Sequence, residues 1–175
     1  PYLVETIRRL SEKGAWHWLV TLHPKMPAQI VEQYRNLAGP NLRFFESHDD
    51  IWPLLKTADV MLCDTSSIML EFMMLDKPVV TYRTRSPGPH LIDVRDPEEI
   101  EPALTSAFNP PAALMGAMQA FIRRFHPYRD GRSSERVLDA AEQVMEKGTA
   151  HLKHKPANLI RKAKMRRKLG YYRWR

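Results

Sequence analysis

Five side chains in one short stretch could do chemistry together: Asp64, Thr65, Ser66, Ser67 and, four residues further on, Glu71. Ser, Thr and Asp are the residues that cap helix N-termini, so plain capping is the first explanation for such a run. One helix start uses one cap, and four in succession leave a surplus of hydroxyls and free backbone N–H groups, which suits a phosphate. Glu71 is not explained by capping either. A capping-box carboxylate stands three residues after its cap, and that position is Ile68, which has no side-chain acceptor. Ser67 and Glu71 share a helix face at i, i+4 spacing, so a ligand with phosphate at the serines could present hydroxyls to the carboxylate; an ion pair with Lys77 or an arginine is the plain alternative.

Other candidates are read the same way. His23, followed by Pro24 and Lys25, stands where a strand ends and could be a general base, a phosphate contact or a structural imidazole. Arg132 and Arg136 bring cations to a helix start, an end that prefers anions. Either a bound anion or pairing with Glu135 would answer this. Asp96-Pro97-Glu98-Glu99 reads as a purely structural helix start. Cys63 lies in the apolar run Val60-Met61-Leu62-Cys63 and reads as a buried, inert thiol. A lone cysteine permits neither an internal disulfide nor a multi-cysteine metal site.

These residues need elements to position them. Leu3, Ile7 and Leu10 recur at helical spacing, 16–22 reads as a strand, and Ile30, Tyr34 and Leu37 mark a second helix. Strands are then expected at 42–45, 60–63 and 79–82, with helical pieces at 51–55 and 67–75. After an irregular stretch from Arg83 to His90 come helices near 97–107, 111–126 and 133–147. Apolar strands alternating with helices imply an α/β fold, a Rossmann-like parallel sheet with helices on both faces. In such sheets ligands bind beyond the carboxyl ends of the strands, which selects the loops at His23 and at Asp64 to Ser67.

The net charge of +7 over 175 residues conceals two different parts. Residues 1–150 hold 17 Lys and Arg against 20 Asp and Glu, whereas 151–175 hold 10 basic residues and no acidic one. We therefore expect a nucleotide-binding domain at 1–150 and a basic, helical tail at 151–175. The tail's Lys164, Arg166, Arg167, Lys168 and Trp174 suit an anionic membrane surface, with RNA as the rival partner. No apolar run approaches the roughly 20 residues of a membrane-spanning helix.

Together, His23-Pro24, the stretch 58–72, Lys77-Pro78-Val79-Val80, Asp130-Gly131 and Arg136-Val137 resemble the C-terminal domain of the CDP-glycerol glycerophosphotransferases, enzymes of GT-B type. More widely the chain is similar to GT-B enzymes such as the UDP-N-acetylglucosamine 2-epimerases. Thr65 stands where the transferases have Tyr, Glu71 where they have Asp, and Arg83 to Pro87 is closer to the epimerases. The resemblance implies that Thr65, Ser66, Ser67 and Arg136 hold the donor nucleotide's phosphates and Glu71 its ribose. It gives His23 a catalytic place at the pyrophosphate, with no metal or cofactor.

The function so implied is the donor-nucleotide-binding half of a two-domain transferase. It would move glycerol phosphate from CDP-glycerol, or another nucleotide-activated donor, to a cell-surface polymer or its lipid-linked primer, as in teichoic acid or capsule biosynthesis. Such an enzyme is expected in the cytoplasm, peripheral at the inner face of the membrane. A glycosyltransferase or epimerase using a nucleotide sugar is the enzymatic alternative, and a non-catalytic RNA-binding module the alternative of another class.

Overall fold

The computed structural model describes residues 3–148, 150, 153 and 156–171, and the chain divides into two compact units, Pro1–Pro127 and Tyr128–Arg175. The first unit alternates helices and strands: α1 (Val4–Glu12), β1 (Trp18–Thr21), α2 (Ala28–Arg35), β2 (Leu42–Phe45), α3 (Trp52–Thr57), β3 (Met61–Cys63), α4 (Ile68–Met73), β4 (Val79–Tyr82) and β5 (Ile92–Val94). A 3-10 turn (Pro97–Glu99), α5 (Ile100–Phe108) and α6 (Ala112–Phe125) complete it. The second unit contains α7 (Ser133–Lys147) and α8 (Leu159–Lys168). The helix at 133–147, grouped by sequence with residues 1–150, thus falls in the second compact unit.

Every strand pairing in the ladders is parallel. β1 pairs with β2 in the register Trp18↔Leu42, and β4 lies between β3 and β5 in the registers Met61↔Val79 and Val80↔Ile92. β4 is buried along its whole length, as a central parallel strand must be when both its faces are covered. Its side chains alternate between two cores. Val80 and Tyr82 join Leu10 of α1 and Ile100, Ala103, Leu104 and Ala107 of α5. Val79 joins Leu55 of α3, Phe72 and Met73 of α4, and Met118 and Ile122 of α6. The helices therefore cover both faces, as the apolar strand runs require.

The sheet is interrupted between β1 and β3, which are not hydrogen-bonded to each other. Trp18 of β1 and Leu62 of β3 nevertheless pack against the same core. From this seam the chain moves outward in one direction through β2 and in the other through β4 and β5. The reversal defines a switch point, and the crevice beyond the carboxyl ends of the flanking strands is where such folds hold ligands.

Two expectations need correction. The strand β5 falls between the irregular stretch at 83–90 and the helix near 97–107, where no element is expected; it has only three residues, and its central Asp93 accepts a hydrogen bond from the Thr81 hydroxyl at 2.8 Å across the ladder. The first strand begins at Trp18 rather than Trp16 because only from there does the backbone find a partner, Trp18 N–H donating to the Asn41 carbonyl at 2.8 Å. Trp16 instead stacks on Phe108, with ring centroids 5.7 Å apart.

Candidate functional site

The floor of the site is the end of β3. The Cys63 thiol is pushed up to about 12, chiefly by burial and then by the neighbouring Asp64 charge, so it stays protonated and inert. Asp64 also lies against α2, where burial and then the Asp64 charge raise Tyr34. The helix that follows the His23 loop thus borders the Asp64 to Ser67 loop.

Capping does not use this loop. Ser67, at the N-cap of α4, has helical backbone angles (φ −67°, ψ −23°) and makes no side-chain capping bond. A capping serine adopts extended angles so that its oxygen can reach the second or third helical N–H. The hydroxyls and backbone N–H groups of Ser66 and Ser67 find no partner among the described residues. Ser66 is half-buried and Ser67 exposed, so donors are available at the rim.

Glu71, half-buried one turn beyond Ser67, makes no ion pair among the described residues. Its expected competitor, Lys77, is engaged elsewhere: the ammonium donates to the carbonyls of Leu55 (3.1 Å), Lys56 (2.7 Å) and Ala58 (2.6 Å) and lies over the Phe72 ring. A cation closing the C-terminus of α3 satisfies carbonyls that have no helical partner. The carboxylate is left available to a ligand.

Thr65 has a structural task as well. Its Oγ1 accepts from the Arg85 N–H at 3.1 Å, which ties the loop after β3 to the loop after β4. That second loop is held from below. Asp93 accepts from the Thr84 N–H (2.9 Å) and the Thr81 hydroxyl (2.8 Å), and Arg83, at φ 53°, donates through Nε to the Arg95 carbonyl (2.7 Å). Arg85 itself is exposed, and its guanidinium has no partner among the described residues. It is a cation on a loop tied to Thr65 that reading for motifs missed. Its position just past the neighbouring parallel strand was the available signal.

His23 is exposed at the end of β1, and its Nδ1 accepts from the Lys25 N–H at 3.1 Å. In the neutral ring the proton then sits on Nε2, which is left as the donor.

Arg136 and Arg132 belong to the second unit and have their anions built in. Arg136 makes a bidentate pair with Asp130 (2.8 and 2.5 Å) and lies 4.0 Å from the Tyr128 ring centroid, while Arg132 pairs with Glu135 at 2.8 Å. The Arg136 guanidinium holds the Asp130 carboxyl well below the usual carboxylate range. The pattern answers the anion question raised by sequence: both anions are side chains of the same short segment. Lys164, Arg167 and Lys168 are exposed on α8, Arg166 is half-buried there, and Trp174 lies outside the described residues. Among the described residues no three His, Cys, Asp or Glu side chains are grouped to hold a metal, and no helix is long and apolar enough to cross a membrane.

Parallel sheets flanked by helices, with a hydroxyl-rich loop at a switch point, make a Rossmann-like domain of GT-B type. The model of the UDP-N-acetylglucosamine 2-epimerase family matches residues 1–142, and the chain belongs to that family. Neither a curated protein nor a solved structure matches it. The family supports an enzyme related to nucleotide sugars and does not establish the finer assignment to CDP-glycerol.

Proposed function

We propose that this domain holds the nucleotide diphosphate of a nucleotide-sugar donor in an epimerase or glycosyltransferase. Ser66 and Ser67 donate to the phosphates, Arg85 supplies positive charge beside them, and Glu71 accepts from the ribose hydroxyls. The observation that carries this reading is the unused hydrogen-bonding capacity at the rim. Two serines and a carboxylate lack partners among the described residues, while Lys77 closes α3 instead.

The chemistry follows from what these groups can do. When a sugar carbon–oxygen bond breaks, negative charge collects on the departing diphosphate, and preoriented donors stabilise it without reorganisation. His23 acts in this scheme by donating its Nε2 proton to the diphosphate. The Lys25 N–H on Nδ1 keeps that tautomer, so His23 works as an anion contact rather than as a base through Nε2. Arg136 serves the second unit's own structure.

A second reading, CDP-glycerol as donor, rests on the likeness of residues 58–80 and of Asp130-Gly131 to the glycerophosphotransferases. Calorimetric titration of the chain with UDP, a UDP-sugar, CDP and CDP-glycerol separates the two. Uridine ligands binding more tightly than cytidine ligands support the first reading, and the reverse order supports the second. Binding of none of the four would overturn both.

A further inference from the structure

We infer that α8 is a docking element for an anionic lipid surface, independent of any nucleotide site. Six of its ten residues are cations: Arg161, Lys162, Lys164, Arg166, Arg167 and Lys168. No acid occurs anywhere in 151–175. Arg161, Lys162, Lys164, Arg167 and Lys168 are exposed and make no ion pair within the described residues. Several cations of the first unit have acidic partners. Arg9 and Lys13 share Glu101, and Arg35 takes Glu46 and Glu32. A helix on which these five cations have no counterion among the described residues presents a field that an anionic surface complements.

Lipid is favoured over nucleic acid by what flanks the run of cations. Leu159, Ile160 and Leu169 are 71%, 76% and 69% exposed. RNA offers aliphatic side chains little, because its bases reward stacking on aromatic rings. The boundary between headgroups and acyl chains rewards aliphatic burial directly.

The arrangement also fixes the mode of docking. At 100° per residue the cations fall on every side of α8, so it lacks the wide apolar face of a deeply inserting helix. It lies at headgroup depth, with Leu159 and Ile160 turned inward and the long lysine and arginine stems reaching outward to phosphates. Ten helical residues are marginal in water, so contact with the surface stabilises the helix.

The test uses the whole chain and vesicles of phosphatidylcholine alone or with 30% phosphatidylserine, read by co-sedimentation and far-ultraviolet circular dichroism. We expect binding only to the anionic vesicles, weakened by salt and accompanied by a gain in helicity. Lys164→Gln/Arg167→Gln/Lys168→Gln should weaken it about 100-fold, at roughly fivefold per cation. Leu159→Ser/Ile160→Ser, which keeps every charge, should weaken it about tenfold. Equal binding to neutral vesicles, or no loss in the triple variant, overturns the inference. Tighter binding of a single-stranded RNA 20-mer at the same ionic strength, unaffected by Leu159→Ser/Ile160→Ser, overturns it in favour of nucleic acid.

Discussion

The starts of α4 and α7 drew attention for the same reason, a concentration of polar side chains at a helix N-terminus, yet they differ in how those groups are used. At α7 each charge has a partner within a few residues: Arg132 has Glu135, and Arg136 has Asp130. At α4 the hydroxyls of Ser66 and Ser67 and the carboxylate of Glu71 have none among the described residues, and Thr65 is engaged with a loop twenty residues away. Residue type at a helix start therefore reports capacity, while only the packing shows whether that capacity is already taken. The first region keeps its capacity unused among the described residues, and the second is closed upon itself.

Five experiments would break or sharpen this contrast. The largest effect is expected from alkali on the floor of the first region. Cys63 has its proton affinity raised by folding, from near 9 to about 12. The unfolded chain therefore loses that proton first, and the stability derived from the buried neutral thiol is complete below pH 9 and lost as pH rises toward 12. The loss is at most on the order of 4 kcal/mol. Urea unfolding across that range should show it, and Cys63→Ala should remove this component. The acid side belongs to the second region: Asp130 is depressed below its ordinary value near 3.8. The α7 start should keep its full protection from hydrogen exchange above that pH and lose it as pH falls below.

Next in size, Glu71→Ala should weaken nucleotide binding by roughly 10- to 100-fold, the range for a lost hydrogen bond to a charged group. Melting temperature serves as the control for folding. An unchanged affinity would mean that the unpartnered carboxylate meets no ribose. Lys77→Met should instead lower unfolding free energy by roughly 1–3 kcal/mol, because the carbonyls at the end of α3 lose their donor. Its nucleotide affinity should hardly change, which chemical denaturation and titration of the same sample would show. The smallest effect is expected at the closed cluster. Asp130→Asn should leave affinity within about twofold, and a larger loss would bring Arg136 back among the nucleotide contacts.

Much of this was legible in the sequence, and the remainder was hidden for identifiable reasons. The strands at 42–45 and 79–82 and the helix at 133–147 stand where the residue pattern puts them, because an apolar run or a helical repeat is a local property. β5 escaped because a three-residue strand with a central aspartate has no such pattern; its pairing depends on Thr81 and Thr84 taking up Asp93. In the site, Ser66, Ser67 and Glu71 could be read from spacing alone. Arg85 could not, since its tie to this loop follows from a bond to Thr65 that joins two separate loops. The diversion of Lys77 to carbonyls 19 to 22 residues earlier was equally invisible.

The bond from Arg85 to Thr65 also has an evolutionary consequence. Its acceptor is a short side-chain hydroxyl, so position 65 is constrained by the loop after β4 as well as by its own loop. A serine there could keep the contact, whereas a tyrosine would carry its hydroxyl to the far side of a ring and release Arg85. Lineages that exchange Thr65 should therefore show compensating changes at 83–85 and at Asp93, and covariation among these positions would record the two loops as a single inherited unit.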